Sequence, residues 1–143
     1  MSGTDSSGLV VVDTGIVIGH LDRANPHHPS ATQALSEAVS AAQRLMLPVT
    51  AFAECLVYPA QASDDAARRF EAALATIPIG IFDANAATAR RAALLRASHR
   101  SVKLPDAFVI ATAIVHRADV LLTTDRGWPS ALTQQLPFKT QTV

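Results

Sequence analysis

Four acidic residues, Asp13, Glu54, Asp106 and Asp125, occupy settings that suggest chemistry. Asp13 directly follows the β-branched run Leu9-Val10-Val11-Val12, and Asp125 stands three residues beyond Val120-Leu121-Leu122. Asp106 follows Leu104-Pro105, where a proline marks the first turn of a helix. Glu54 lies inside the apolar stretch Ala51–Tyr58, with no lysine or arginine within a turn or two. A charge buried there is costly unless it is paired or bound to metal. Together the four are hard oxygen donors of the kind that Mg²⁺ and Mn²⁺ prefer. Close together they would repel one another, and one or two divalent cations would relieve that repulsion. Such a centre lowers the pKa of bound water and stabilises charge on a phosphate, so the chemistry implied is phosphodiester hydrolysis.

Each position also has a plainer account. An aspartate after a strand is often a turn former or a helix cap, and one in a first helical turn answers the helix dipole. A distant arginine would satisfy Glu54. The case for chemistry is therefore that the four meet, and that depends on the elements carrying them.

The short apolar runs Leu9–Val12, Leu45–Leu47, Pro78–Phe82 and Val120–Leu122 read as buried strands, and Phe138–Val143 as a weak edge strand. Helical spacing predicts helices over Ile16–Leu21, Ser30–Arg44, Asp83–Ser98 and Pro105–Arg117. Thr50 is expected to cap a helix ending at Tyr58, with Pro59 stopping it. Ser63 or Asp64 opens a helix to Ala75, Asp83 or Asn85 caps the next, and Gly127–Leu132 is a helical turn. Strands alternating with helices predict a three-layer α/β/α sandwich around a four- to five-stranded parallel sheet. In such folds ligands sit beyond the carboxyl ends of the strands, which puts Asp13 and Asp125 on one edge.

Bulk properties agree with one globular domain. The chain has 143 residues, 49% hydrophobic and 17% charged, with 12 basic against 12 acidic side chains. The balanced charge gives no sign of a nucleic-acid partner, although ten of the twelve cations are arginine, the better phosphate fork. The single cysteine, Cys55, excludes an internal disulfide and a cysteine-based zinc cluster, and it fits a reducing cytoplasm. No apolar run approaches the roughly 20 residues that span a membrane, and the polar start lacks the parts of a signal peptide. Residues 1–8 read as a flexible leader and 9–143 as a single catalytic domain.

Four blocks carry a family resemblance: Val11-Val12-Asp13-Thr14-Gly15, Thr50-Ala51-Phe52-Ala53-Glu54, Leu104-Pro105-Asp106-Ala107-Phe108-Val109-Ile110-Ala111-Thr112-Ala113 and Leu122-Thr123-Thr124-Asp125-Arg126. In order and spacing they resemble the PIN-domain ribonucleases, specifically the VapC-type toxins of bacterial toxin–antitoxin pairs. The third block is the most specific. The resemblance implies a five-stranded parallel sheet, Mg²⁺- or Mn²⁺-dependent endoribonuclease activity, a VapB-type antitoxin that blocks the site, and a homodimer. It places Asp13 and Asp106 as direct metal ligands, with Glu54 and Asp125 binding through water or orienting the nucleophile. The sequence departs from the family's commonest pattern at Gly15, where Ser or Asn is frequent. It also has no second acid close after Asp125.

Around the acids, Thr123 or Thr124 is placed to hydrogen-bond a carboxylate or a phosphate oxygen, and Arg126 to meet a phosphate. Arg96, His99, Arg100 and Lys103 form a basic stretch that would guide an RNA backbone, or else a solvated helix end. The adjacent His27-His28 pair lacks the spacing of a helical metal pair and reads as surface loop. Cys55 reads as a core thiol, and Trp128 as packing in preference to base stacking. Two other readings fit the acids less well. One is an aspartate-nucleophile phosphatase, which would want a second acid at Gly15. The other is a PIN-like RNA- or protein-binding module that has lost catalysis. Neither G-x-G-x-x-G nor a Walker loop is present.

Overall fold

The computed structural model describes residues 8–143. Strands β1 (Leu9–Val12), β2 (Arg44–Pro48), β3 (Ile79–Phe82), β4 (Val120–Thr123) and β5 (Lys139–Thr142) form one sheet in the order β3-β2-β1-β4-β5. Every pairing is parallel. Helices α1 (Thr14–Leu21), α2 (His28–Ser40), α3 (Val49–Ala62), α4 (Asp64–Leu74), α5 (Ala86–Ser98), α6 (Leu104–Val115) and α7 (Ser130–Thr133) connect the strands. Successive side chains of a strand point to opposite faces, yet Val10, Val11 and Val12, and likewise Leu121, Leu122 and Thr123, are all buried. Both faces of the sheet centre are therefore covered, as the α/β/α expectation requires. Each of these aliphatic side chains contributes roughly 1.5–3 kcal/mol on burial.

The strand order sets the geometry of the site. The chain builds outward from β1 through β2 to β3, then returns to the other side of β1 for β4 and β5. The carboxyl ends of β1 and β4 thus flank the point where the winding reverses, the usual place for a ligand crevice. The Asp13 N–H donates to Leu122 O at 2.9 Å, extending the pairing one residue past β1.

The leader expected over residues 1–8 falls almost wholly outside the described residues. Gly8 itself belongs to the fold, because its carbonyl accepts the Arg44 N–H at 2.8 Å. Among the described residues, no helix is long and apolar enough to cross a membrane.

Several boundaries differ from the sequence expectation for identifiable reasons. Helix α3 starts at Val49 with Pro48 at the cap position, so Thr50 is not the cap; its hydroxyl is buried without a hydrogen-bond partner. Pro59 does not stop α3: it forfeits its own N–H bond and crowds the carbonyl of Cys55, but the turn that follows it remains helical. The Pro59 carbonyl still accepts the Ser63 N–H at 3.2 Å, and the helix runs to Ala62. Helix α1 begins two residues earlier than expected because Asp13 caps it. Helix α2 begins at His28, with Pro29 in its first turn.

Helices α2 and α6 end earlier than expected, at Ser40 and Val115. Each closes in the same way. Gln43 N–H bonds to Ala38 O and Ala42 N–H to Val39 O, with Ala42 at φ 58°. Ala118 N–H bonds to Ala113 O and Arg117 N–H to Ile114 O, with Arg117 at φ 55°. This is the double bond pattern of a Schellman ending, in which the left-handed residue is usually glycine. It turns the chain sharply from α2 towards β2 and from α6 towards β4. A side chain in that conformation costs roughly 1–2 kcal/mol. We therefore expect Ala42→Gly to raise stability by about 1 kcal/mol, read as a rise in melting temperature of about 3 °C. A fall would mean that the turn is not held in this conformation in solution.

Candidate active site

Asp13 is the residue about which the site is built. It is 6% exposed, at the end of the central strand. One carboxylate oxygen, Oδ1, accepts the Thr14 N–H at 2.8 Å and caps α1. The other, Oδ2, accepts the Thr123 hydroxyl at 2.8 Å from the end of β4. The plainer reading of Asp13 as a helix cap is thus correct as far as it goes, but it uses only half of the carboxylate. Burial pushes the Asp13 pKa up to about 6; the two hydrogen bonds oppose that shift, and the nearby charges of Asp106 and Glu54 add to it.

Asp106 is half-buried in the first turn of α6. Burial raises its pKa first and the Asp125 charge second, with Glu54 adding to the rise and Lys103 opposing it. The indole N–H of Trp128 is close enough to favour the charged carboxylate. It is buried, but it finds no acceptor at hydrogen-bonding geometry.

Glu54 corrects the sequence expectation. It is exposed: α3 turns Ala51 and Cys55 into the core, and Glu54 lies on the outward face together with Val57 and Tyr58. Its partner is the Thr14 hydroxyl, which donates to Oε1 at 3.1 Å and aims the carboxylate at the start of α1. No arginine from elsewhere reaches it. The two ion pairs among the described residues, Arg68–Asp64 and Arg69–Asp65, both lie on the exposed face of α4.

Asp125 is half-buried in the loop after β4. Its N–H donates to Thr123 Oγ1 at 3.0 Å, and its Oδ1 accepts the Gly127 N–H at 2.7 Å. One hydroxyl therefore joins two acids: Thr123 gives its proton to Asp13 while accepting from the backbone of Asp125. Sequence reasoning placed Thr123 or Thr124 near a carboxylate, and Thr123 is the one that bonds it.

Thr124 has a different position. A β-carbon built on Gly15 would lie 2.2 Å from Thr124 Oγ1. The threonine fills the space that a side chain at position 15 would take, which accounts physically for glycine at this point of the motif.

The four acids lie within electrostatic reach of one another, linked through Asp13 and Asp106. As they stand, no three His, Cys, Asp or Glu side chains among the described residues are gathered closely enough to hold a metal ion. The donor set nevertheless suits a hard divalent cation: it is all carboxylate, one member is buried, and none is ion-paired.

Of the basic residues, Lys103 stands at the start of α6 near Asp106, and Arg126 lines a cleft beside Asp125. Arg100 is exposed on the turn after α5, where its carbonyl accepts from Arg96, and no described contact ties its side chain to the acids. His27 and His28 are half-buried; His27 lies in the turn just before α2, as a loop residue, whereas His28 is already in the helix. The Nδ1 of His28 donates to Gly19 O at 3.0 Å. Cys55 is buried, and burial followed by the Glu54 and Asp13 charges pushes its thiol up to about 12, which leaves it inert.

The model of the PIN domain matches residues 10–131, a span that includes all four acids. The chain belongs to the PIN-domain family. Solved structures agree. A toxin–antitoxin complex from Klebsiella pneumoniae contains a chain 26% identical to this one, covering 93% of this chain and 96% of that one at a TM-score of 0.69. VapBC2 from Rickettsia felis, bound to a promoter DNA fragment, is similar at 17% identity, 94% and 98% coverage and a TM-score of 0.68. VapC20 from Mycobacterium tuberculosis, described as a sarcin–ricin loop cleaving toxin, is similar at 15% identity, 85% and 94% coverage and a TM-score of 0.67. The fold is that of the VapC toxins in VapBC complexes. No curated protein sequence matches the chain.

The raised pKa of Asp13 has a thermodynamic consequence. Its folded value, about 6, lies above the model value of 3.8, so the folded state binds more protons between those limits. Its contribution therefore favours folding at low pH and is lost as pH rises through about 6, a difference on the order of 3 kcal/mol. In chelator, Asp13→Asn is expected to melt several degrees above wild type at pH 7.5 and close to it at pH 4. A variant that melts lower at pH 7.5 would contradict the burial penalty.

Proposed function

We propose that this PIN-domain protein is an Mg²⁺- or Mn²⁺-dependent endoribonuclease acting as the toxin of a toxin–antitoxin pair. The observation that carries the reading is the buried Asp13 carboxylate, with Asp106 and Glu54 within electrostatic reach of it, Asp125 within reach of Asp106, and no cation paired to any of the four among the described residues. A cluster of this kind is held against its own repulsion for a reason, and a divalent cation is the partner whose chemistry fits.

In this proposal Asp13 and Asp106 hold the ion directly, and Glu54 and Asp125 act through water or orient the nucleophile. When bound, the ion supplies water of lowered pKa and positive charge at the reacting phosphate. The chain's own part is positioning. Thr123 and the Thr14 N–H fix both oxygens of Asp13. The Thr14 hydroxyl orients Glu54, and the Gly127 N–H holds Asp125. Lys103 and Arg126, both exposed on the rim, attract the phosphates of an incoming strand, and Arg100 extends that basic rim along the backbone.

Support for the biological role comes from the neighbours. Several are described as toxin–antitoxin or VapBC complexes, and one as a toxin that cleaves the sarcin–ricin loop. By that likeness the partners are an RNA substrate and a VapB-type antitoxin, the protein is a homodimer, and it works in the cytoplasm. Exposed Val57, Tyr58 and Leu94 offer apolar surface for protein partners.

Purified protein is expected to cut RNA in Mg²⁺ or Mn²⁺ and to lose activity in chelator. Asp106→Asn should reduce cleavage at least about a hundredfold with the fold unchanged by circular dichroism. Cleavage that persists in chelator, or wild-type turnover by Asp106→Asn, would overturn the mechanism.

A further inference from the structure

Beside Asp125 the structure contains a small cleft of about 160 Å³, lined by Asp125, Arg126, Trp128, Thr133, Thr140 and Thr142. Its lining is mostly polar, and it includes a hydroxyl that the fold leaves unused. Thr140 Oγ1 is buried without a hydrogen-bond partner. Buried polar groups are nearly always paired, so an unpaired one lining a cleft beside the acids requires explanation. Thr133 has its own partner, the Ser130 carbonyl, and is not free in the same way.

The sheet register ties the cleft to the reaction centre. On β5, Thr140 and Thr142 are two residues apart and so face the same side. Thr142 pairs with Thr123, and Thr123 bonds the carboxylate of Asp13. A row of side chains along the carboxyl edge therefore runs from Asp13 through Thr123 to Thr142, with Thr140 one step deeper. At the mouth, Arg126 is an exposed cation without an ion pair among the described residues.

We infer that this cleft is a subsite for the ribose and phosphate of a nucleotide adjoining the bond that is cut. Its chemistry selects that occupant. The exposed guanidinium of Arg126 is suited to fork onto a phosphate. The hydroxyls of Thr140 and Thr142 both donate and accept, which matches a ribose 2′-hydroxyl, the group that distinguishes RNA from DNA. The cleft is too small for a base to enter with its sugar, so it reads the backbone and leaves base identity to other surfaces. This inference rests on the nuclease reading, and it assigns the discrimination between ribose and deoxyribose to β5.

Trp128 is the only tryptophan in the chain and lines the cleft, so its emission reports occupancy. The full-length protein, in chelator so that nothing is cut, is titrated with the dinucleotide UpU and with its 2′-deoxy counterpart. UpU is expected to change the emission saturably, and the deoxy form to need a concentration about tenfold higher, the equivalent of one or two good hydrogen bonds. Thr140→Val and Thr142→Val should each shift UpU towards the deoxy value. Thr140→Val should also melt at or above wild type, because it removes an unpaired buried hydroxyl. Thr142 is exposed, so its valine variant carries the same test without risk to the core. Equal half-saturation for the two dinucleotides, or an emission that does not respond to either, overturns the subsite. Cleavage assays separate this from the function: a protein that cuts RNA but does not tell the dinucleotides apart sinks the subsite alone. Discrimination by a protein that cuts nothing sinks the nuclease reading, and with it the place of the subsite beside a cut bond, and leaves the cleft as a ribose-binding site.

Discussion

Asp13 places a carboxylate at the end of the central strand, where β2 and β4 flank it and water has little access. Ionising such a group costs more than the two hydrogen bonds it receives return, and that imbalance is why its pKa rises to about 6. The surrounding structure is arranged around this unfavourable charge. The start of α1 brings a backbone N–H and the positive end of a helix dipole to it. The end of β4 brings the Thr123 hydroxyl, which couples Asp13 to the backbone of the loop carrying Asp125. What is missing from this shell is positive charge, and a divalent cation would supply it.

The same constraint accounts for details that look unrelated. Helices α2 and α6 must hand the chain to β2 and β4 abruptly if β1 is to have a parallel neighbour on each side. Both do so through a left-handed residue that is not glycine. Gly15 sits where the loop after β4 crosses the first turn of α1, and Thr124 occupies the room its missing side chain leaves. Closeness of backbone at this crossing is what lets acids from β1 and from beyond β4 share one space.

Charge is distributed to the same end. The chain is neutral as a whole, yet four of its twelve acids lie near one another at the carboxyl edge of the sheet while Lys103 and Arg126 stand exposed at the rim. A polyanionic strand would meet the cations first and the carboxylates only once a metal ion had altered the balance. Net charge is a poor guide to partners in such a case, because local arrangement decides the field that an approaching phosphate experiences.

Much of this was legible in the residues. The β-branched run before Asp13, the apolar strand before Asp125 and the proline ahead of Asp106 each place an acid on a definable element, because strand and helix signals are local. Alternation of strands and helices was enough to predict a parallel sheet and hence one shared edge. Contacts between distant residues were not legible. Glu54 looked buried because its neighbours in sequence are apolar, but the rotation of α3 turned it outward towards Thr14. Thr50 looked like a cap, but packing started the helix two residues earlier, with Pro48 at the cap position. The bond from Thr123 to Asp13 and the fit of Thr124 over Gly15 join residues about 110 positions apart. No local pattern encodes such pairs; they follow from which faces of the elements meet when the core closes.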